Sequence, residues 1–253
     1  MKKILILFLS VTLSLNSFSQ DVDYDDILGG NLNTITTAVP FLLISPDSKS
    51  GAMGDVGVAT TPDASSMHWN PAKLAFAKDD IGISVSIVPW LRELVPDINL
   101  QYISGYYKLN DNDAIGYELR YFSLGDITFT DGSGQVIGQY KPNEMAFGTA
   151  YSRKLSRDFS IAISARYIYS NLTGGQTAGG TETIAGQSIA ADVSTYYTKP
   201  ITIADKKSDI SFGMNISNIG NKISYTETIT RDFIPINLRL GTDVTSEIDD
   251  YNK

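Results

Sequence analysis

Residues 159–170 read Phe159-Ser160-Ile161-Ala162-Ile163-Ser164-Ala165-Arg166-Tyr167-Ile168-Tyr169-Ser170. Bulky apolar residues hold most odd positions, and small or polar ones most even positions. A period of two is what a β-strand imposes, because successive side chains leave opposite faces. The pattern recurs in both directions along the chain. Ile81, Ile83, Val85 and Ile87 alternate with Gly82, Ser84 and Ser86, and Ile115, Tyr117, Leu119 and Tyr121 with Gly116, Glu118 and Arg120. Ile210, Phe212, Met214 and Ile216 alternate with Ser211, Gly213 and Asn215. Strands are expected near 81–90, 98–109, 113–124, 143–154, 157–171, 186–199, 208–219 and 233–243.

The quality of the two faces separates kinds of β protein. A soluble sandwich turns Lys, Glu and Thr to water, whereas the polar face here is mostly Gly, Ser, Ala and Asn. Its charges, Glu118, Arg120, Arg166 and Arg239, are isolated. A small polar face opposite an apolar one fits an all-β fold, a transmembrane outer-membrane β-barrel. Tyr102, Tyr106, Tyr107, Tyr151, Tyr169, Tyr196 and Tyr197 are expected near lipid headgroups, where a ring with a polar tip is favoured. Connections 110–112 and 155–156 are short, while 125–142 and 172–185 are long and rich in glycine. Short turns then lie at one end and long loops (91–97, 125–142, 172–185, 220–232) at the outer end, with 200–207 an unusually long turn. No later segment has the run of about 18 apolar residues that a membrane helix needs.

Composition excludes several classes. Among 253 residues, 20 Lys and Arg face 28 Asp and Glu, a formal charge of −8, which argues against a nucleic-acid partner. There is no cysteine and a single histidine, His68, so thiolate sites, disulfides and multi-histidine metal centres are out. No catalytic residue, metal ligand or cofactor site is assigned. Lys2 and Lys3 followed by mostly apolar Ile4–Leu15 and the small Ser17 and Ser19 read as a signal peptide over 1–19. Residues 20–80 are expected to fill the lumen as a plug, with a partial barrel over 81–253. Eight strands leave room only for their own side chains. The chain is therefore expected to be an N-terminal fragment of a wider barrel.

The segment before the first strand carries the most specific motif. It runs Thr37-Ala-Val-Pro-Phe-Leu-Leu-Ile-Ser-Pro-Asp47, then Gly51-Ala-Met-Gly-Asp-Val-Gly-Val-Ala-Thr-Thr-Pro-Asp-Ala-Ser-Ser-Met-His-Trp-Asn-Pro-Ala-Lys73. Gly51, Gly54 and Gly57, with Asp55 among them, permit tight turns or close approach to a wall. Thr61, Pro62 and Asp63 predict a helix start, with Thr61 as its cap. Asn70-Pro71 predicts its end. The glycine spacing is not a dinucleotide fingerprint, and no phosphate loop is present. His68 near Asp63 lacks a nucleophile and reads as a structural histidine. Asp25-Asp26, Asp79-Asp80 and Asp249-Asp250 read as solvated turns, since no calcium-loop pattern surrounds them. Glu118 and Arg120 are expected to face the lumen and pair with the plug.

The stretch GAMGDVGVAT…DASSMHWNPAKLAF resembles the plug signature of FadL-like outer-membrane proteins. With the preceding AVPFLLISPD it resembles the PorV (LptO) family of the type IX secretion system, whose barrel has fourteen strands. The resemblance implies a non-enzymatic, cofactor-free shuttle in the outer membrane, exported by its signal peptide. Its partners would be the translocon barrel, the C-terminal signal domains of cargo, a sortase-like surface attachment peptidase and outer-membrane lipid. Cargo would meet the long loops, with Trp90, Leu91 and Leu94 as candidate contacts and headgroup anchoring as the other role open to Trp90. The alternative is a FadL-like channel for hydrophobic small molecules.

Overall fold

The computed structural model describes residues 37–93, 95–130, 132–175, 177–178, 181–226 and 231–246. The expected signal peptide, Leu94, Asp25-Asp26 and Asp249-Asp250 lie outside them. The inner segment, 37–80, carries a 3-10 turn at Pro40–Leu43, α1 (Ser48–Ala52), α2 (Ser66–Trp69) and a 3-10 helix at Pro71–Phe76. Then come β1 (Ile81–Pro89), β2 (Ile98–Lys108), β3 (Asp113–Leu124), β4 (Ile127–Thr130), β5 (Val136–Tyr140) and β6 (Asn143–Lys154). The rest are β7 (Phe159–Asn171), β8 (Thr177–Ala178), β9 (Thr181–Glu182), β10 (Gly186–Ile203), β11 (Lys206–Gly220) and β12 (Asn237–Ser246).

Among the described residues, eight strands form one antiparallel sheet in the order β1-β2-β3-β6-β7-β10-β11-β12. It curls into a half-barrel whose edges, β1 and β12, do not pair with each other. The two longest loops each carry a small hairpin, β4-β5 and β8-β9. No helix among the described residues is long and apolar enough to cross a membrane, which says nothing against strands doing so.

The sheet's polarity is inverted relative to a soluble protein. Outward Ile81, Ile83, Val85 and Ile87 are 65–68% exposed, and Ile163, Ile189 and Leu240 stand out similarly. Inward Ser104, Glu118, Arg120, Ser160, Arg166 and Asn215 are buried. An exposed apolar surface of this extent marks a face made for lipid or a partner.

The inner segment fills the concave side. At the long-loop end Val39, Phe41 and Leu42 pack with Leu100, Phe122, Ala146 and Ile168. Nearer the short turns Met67, Leu74 and Ala77 meet Tyr106, Ala114 and Ala150. Small wall residues make the approach possible. At Gly213 an added Cβ would stand 2.1 Å from the Val58 carbonyl oxygen.

Three expectations need correction. Tyr102, Tyr106 and Tyr196 do not reach the headgroup level; they are buried on the inner face, because each falls in the inward phase of its strand. The supposed long turn at 200–207 is instead strand up to Ile203 and again from Lys206. Only Ala204 and Asp205 turn there, both with positive φ (51° and 63°), the conformation of a tight hairpin. Thr61 does not cap a helix. α2 begins at Ser66, and Asp63 instead accepts from the Ser66 hydroxyl, whose oxygen accepts from the Asp63 N–H.

Candidate functional site

The chemistry of this protein is concentrated where the inner segment meets the wall. Asn70 is extended (φ −166°, ψ 93°), as the residue before proline prefers, so α2 ends there and the 3-10 helix starts at Pro71. Its side chain then does three things. The carbonyl oxygen accepts from the Ala72 N–H, and the amide donates to the Val58 and Thr195 carbonyls at 2.8 and 2.9 Å. One asparagine thus joins two parts of the segment to strand β10.

Wall hydroxyls hold the next residues. Ser152 and Ser160 donate to the Ala72 carbonyl, while Ser194 and Ser152 accept from the Ala72 and Ala75 N–H groups. Asn215 donates to the Trp69 carbonyl at 3.0 Å and Arg239 to the His68 carbonyl at 3.1 Å. Serine suits these positions because it bonds backbone without adding bulk.

Arg120 anchors the other end. Its guanidinium donates to the carbonyls of Phe41 (3.0 Å), Leu42 (2.9 Å) and Ile44 (3.3 Å), and to His68 Nδ1 at 2.7 Å. Burial, together with Arg120, Arg239 and Arg166 nearby, holds the His68 imidazole well below its ordinary 6.5. The ring is therefore neutral. No hydrogen bond or ion pair joins His68 to Asp63, which pairs instead with Lys49 at 3.4 Å.

Glu118 behaves differently from Arg120. Both face inward as expected, but Glu118 pairs within the wall. Arg166 reaches its Oε1 at 2.7 Å and both Asp192 oxygens at 3.0 and 3.2 Å, while Tyr102 donates to Oε2 at 2.8 Å. Asn218 completes the network, accepting from Arg166 at 2.6 Å and donating its N–H to Asp192. It sits in the left-handed region (φ 61°) where the β10–β11 register shifts. This bulge turns its side chain inward. Nothing in the alternation of β11 signals it.

The predicted motif residues are dispersed within the segment. Gly54 has φ 81° and Asp55 φ 61°, forming the exposed turn after α1, whereas Gly51 lies in α1, where an added Cβ would meet only the Ser45 hydroxyl at 4.0 Å. Gly57 abuts Trp69, whose ring carbons would stand 2.3–2.6 Å from an added Cβ. The Trp69 indole N–H donates to Asp47 at 2.7 Å, and Arg239 lies 5.1 Å from its ring centroid. Lys73 is a buried, fully engaged position that reading the motif missed. Burial pushes its amine down to about 8, and it donates to the Gly57 carbonyl and Thr60 hydroxyl.

At the loop end, Trp90 borders an apolar cavity of about 770 Å³ with Pro40, Phe41, Ile44, Val88 and Phe122. Leu91 is exposed beside it in a left-handed conformation. Among the described residues, no group of His, Cys, Asp and Glu could hold a metal ion.

None of the curated proteins compared with this chain matches it. A family model described as "Type IX secretion system protein PorV" matches residues 29–253, a span that takes in the inner segment and every strand of the wall. The chain belongs to the PorV family and is a component of the type IX secretion system.

Proposed function

We propose that this protein is an outer-membrane carrier. It binds the C-terminal signal domain of cargo leaving the type IX translocon barrel and delivers it to a surface complex with a sortase-like attachment peptidase. The wall crosses the membrane with its apolar face in lipid, and residues 20–80 act as a plug. The long loops, with Trp90, Leu91 and Leu94, meet the cargo.

One observation carries the preference for a carrier over a channel. The inner segment is hydrogen-bonded to β3, β6, β7, β10, β11 and β12 through Arg120, Ser152, Ser160, Ser194, Asn215 and Arg239. Withdrawing it would strand several buried polar groups, each costing about 1–3 kcal/mol. A filling pinned from so many sides is a platform for loops, not a gate.

The test is deletion of the gene followed by fractionation. Cargo bearing the type IX signal should accumulate in the periplasm and disappear from the surface. Normal surface display with impaired uptake of hydrophobic compounds would establish the channel instead. Complementation with Trp90→Ala/Leu91→Ser should restore barrel assembly but lower cargo display if these residues contact it.

A further inference from the structure

Two cations stand at the long-loop rim on the outward side of the wall. Lys222 and Arg231 line a groove of about 740 Å³ together with Tyr167, Ile184, Gln187 and Ile189. The strand register places Tyr167 and Ile189 on one outward row with Ile103, Leu119 and Phe147, and all five are exposed. The floor of the groove is therefore continuous with the apolar face. Toward the loop end of β10 the next outward residue is polar, and the Tyr167 hydroxyl donates to it, Gln187, at 2.8 Å.

Among the described residues, neither Lys222 nor Arg231 has a carboxylate within ion-pair distance, although Glu182 and Asp232 lie on the same loops. Lys222 is instead held over the Phe233 ring, 3.9 Å from its centroid. A basic rim over an apolar floor, at the edge of a lipid-facing sheet, matches a headgroup above its acyl chain.

We infer that this groove binds a phosphate-bearing lipid of the leaflet it faces. The phosphate lies between Lys222 and Arg231, and an acyl chain runs along Tyr167 and Ile189. The inference rests on the proposal that the outward face lies in a bilayer. A cation at a membrane surface favours an anionic lipid by about five-fold.

The experiment uses the full chain in nanodiscs of phosphatidylethanolamine with a minority of phosphatidylglycerol, and counts co-purifying lipids by native mass spectrometry. Wild type should hold phosphatidylglycerol about five-fold or more above its share. Lys222→Gln/Arg231→Gln should return it to that share, with the circular dichroism unchanged. Lys199→Gln/Lys207→Gln, at the short-turn end, should leave the enrichment intact. No enrichment in wild type, or equal loss in both double variants, overturns the site. Inorganic phosphate binding to the detergent-solubilised protein through the same two residues would make the ligand a free anion and overturn the lipid assignment. A protein that never enters the nanodisc removes the bilayer reading itself, a result separable from insertion without selectivity.

Discussion

Arg120 Nη2 and His68 Nδ1 stand 2.7 Å apart, joining wall strand β3 to helix α2 of the inner segment. A guanidinium only donates, so Nδ1 must accept, and the ring proton belongs on Nε2. That proton points toward Arg239, 3.4 Å away, where two donors face each other and no hydrogen bond forms. Arg239 bonds the His68 carbonyl instead. A second proton on the imidazole would break the Arg120 contact and place a cation among three others.

Replacing Arg120 tests how firmly the segment is held. Arg120→Met keeps the length of the side chain but strands the Leu42 and Ile44 carbonyls and leaves that of Phe41 with the Ile44 N–H alone. The loss should be on the order of 3 kcal/mol, since each unsatisfied buried group costs about 1–3 kcal/mol. Protease sensitivity of residues 37–47 in the full-length protein should rise. An unchanged cleavage pattern with unchanged stability would show that the clasp is idle.

Acid should act through His68. The unfolded chain protonates this ring near its ordinary 6.5, whereas the folded one keeps it neutral well below that. The folded state thus binds fewer protons, so its stability is full above about 6.5 and falls as pH drops further. His68→Gln, which keeps an acceptor for Arg120, should flatten this acid slope. Melting followed by heat-dependent gel mobility at pH 5 and pH 8 measures it. Equal slopes in the two proteins would remove His68 from the account.

Gly57 and Trp69 share one space. In Gly57→Ala the new carbon would start 2.3 Å from the indole and force it to shift. Overpacking of this kind costs about 1–3 kcal/mol. In a Trp90→Phe background, Trp69 fluorescence should move with the substitution. Retention of the wild-type spectrum would mean that the backbone yields instead.

The Arg166 network should show strong coupling. Asp192→Asn leaves Arg166 with Glu118 as its single carboxylate and should cost about 3–5 kcal/mol, the usual result of breaking a buried ion pair. Arg166→Gln alone leaves two carboxylates unpaired and should cost at least as much. The double variant should be much less destabilised than the two single losses added together. Additive losses would show that the network is not a unit.

Much of this architecture was legible because barrel strands announce themselves twice, by period and by the inverted quality of their faces. Ile81–Ile87 and Phe159–Tyr169 gave both signals, and each lies in a strand. Tyr102, Tyr106 and Tyr196 misled because tyrosine serves equally at a headgroup and against a buried carboxylate or serine. Phase, not residue type, separates the two. Thr61-Pro62-Asp63 looked like a helix start, but Asp63 is engaged by Lys49 and Ser66. The Arg166 network joins residues from β2, β3, β7, β10 and β11, and only the paired strands bring them together. Asn70 is the exception, since its place before Pro71 showed both its backbone and the end of α2.

Residues 37–80 precede every strand of the wall in the chain, yet the strands bond to them from around the concave side. The wall surrounds this segment as cloth surrounds a spindle, and the spindle runs directly into the first turn of cloth at Ile81. Errors in residues 37–80 should therefore surface as failures of barrel assembly, ahead of any failure in transport.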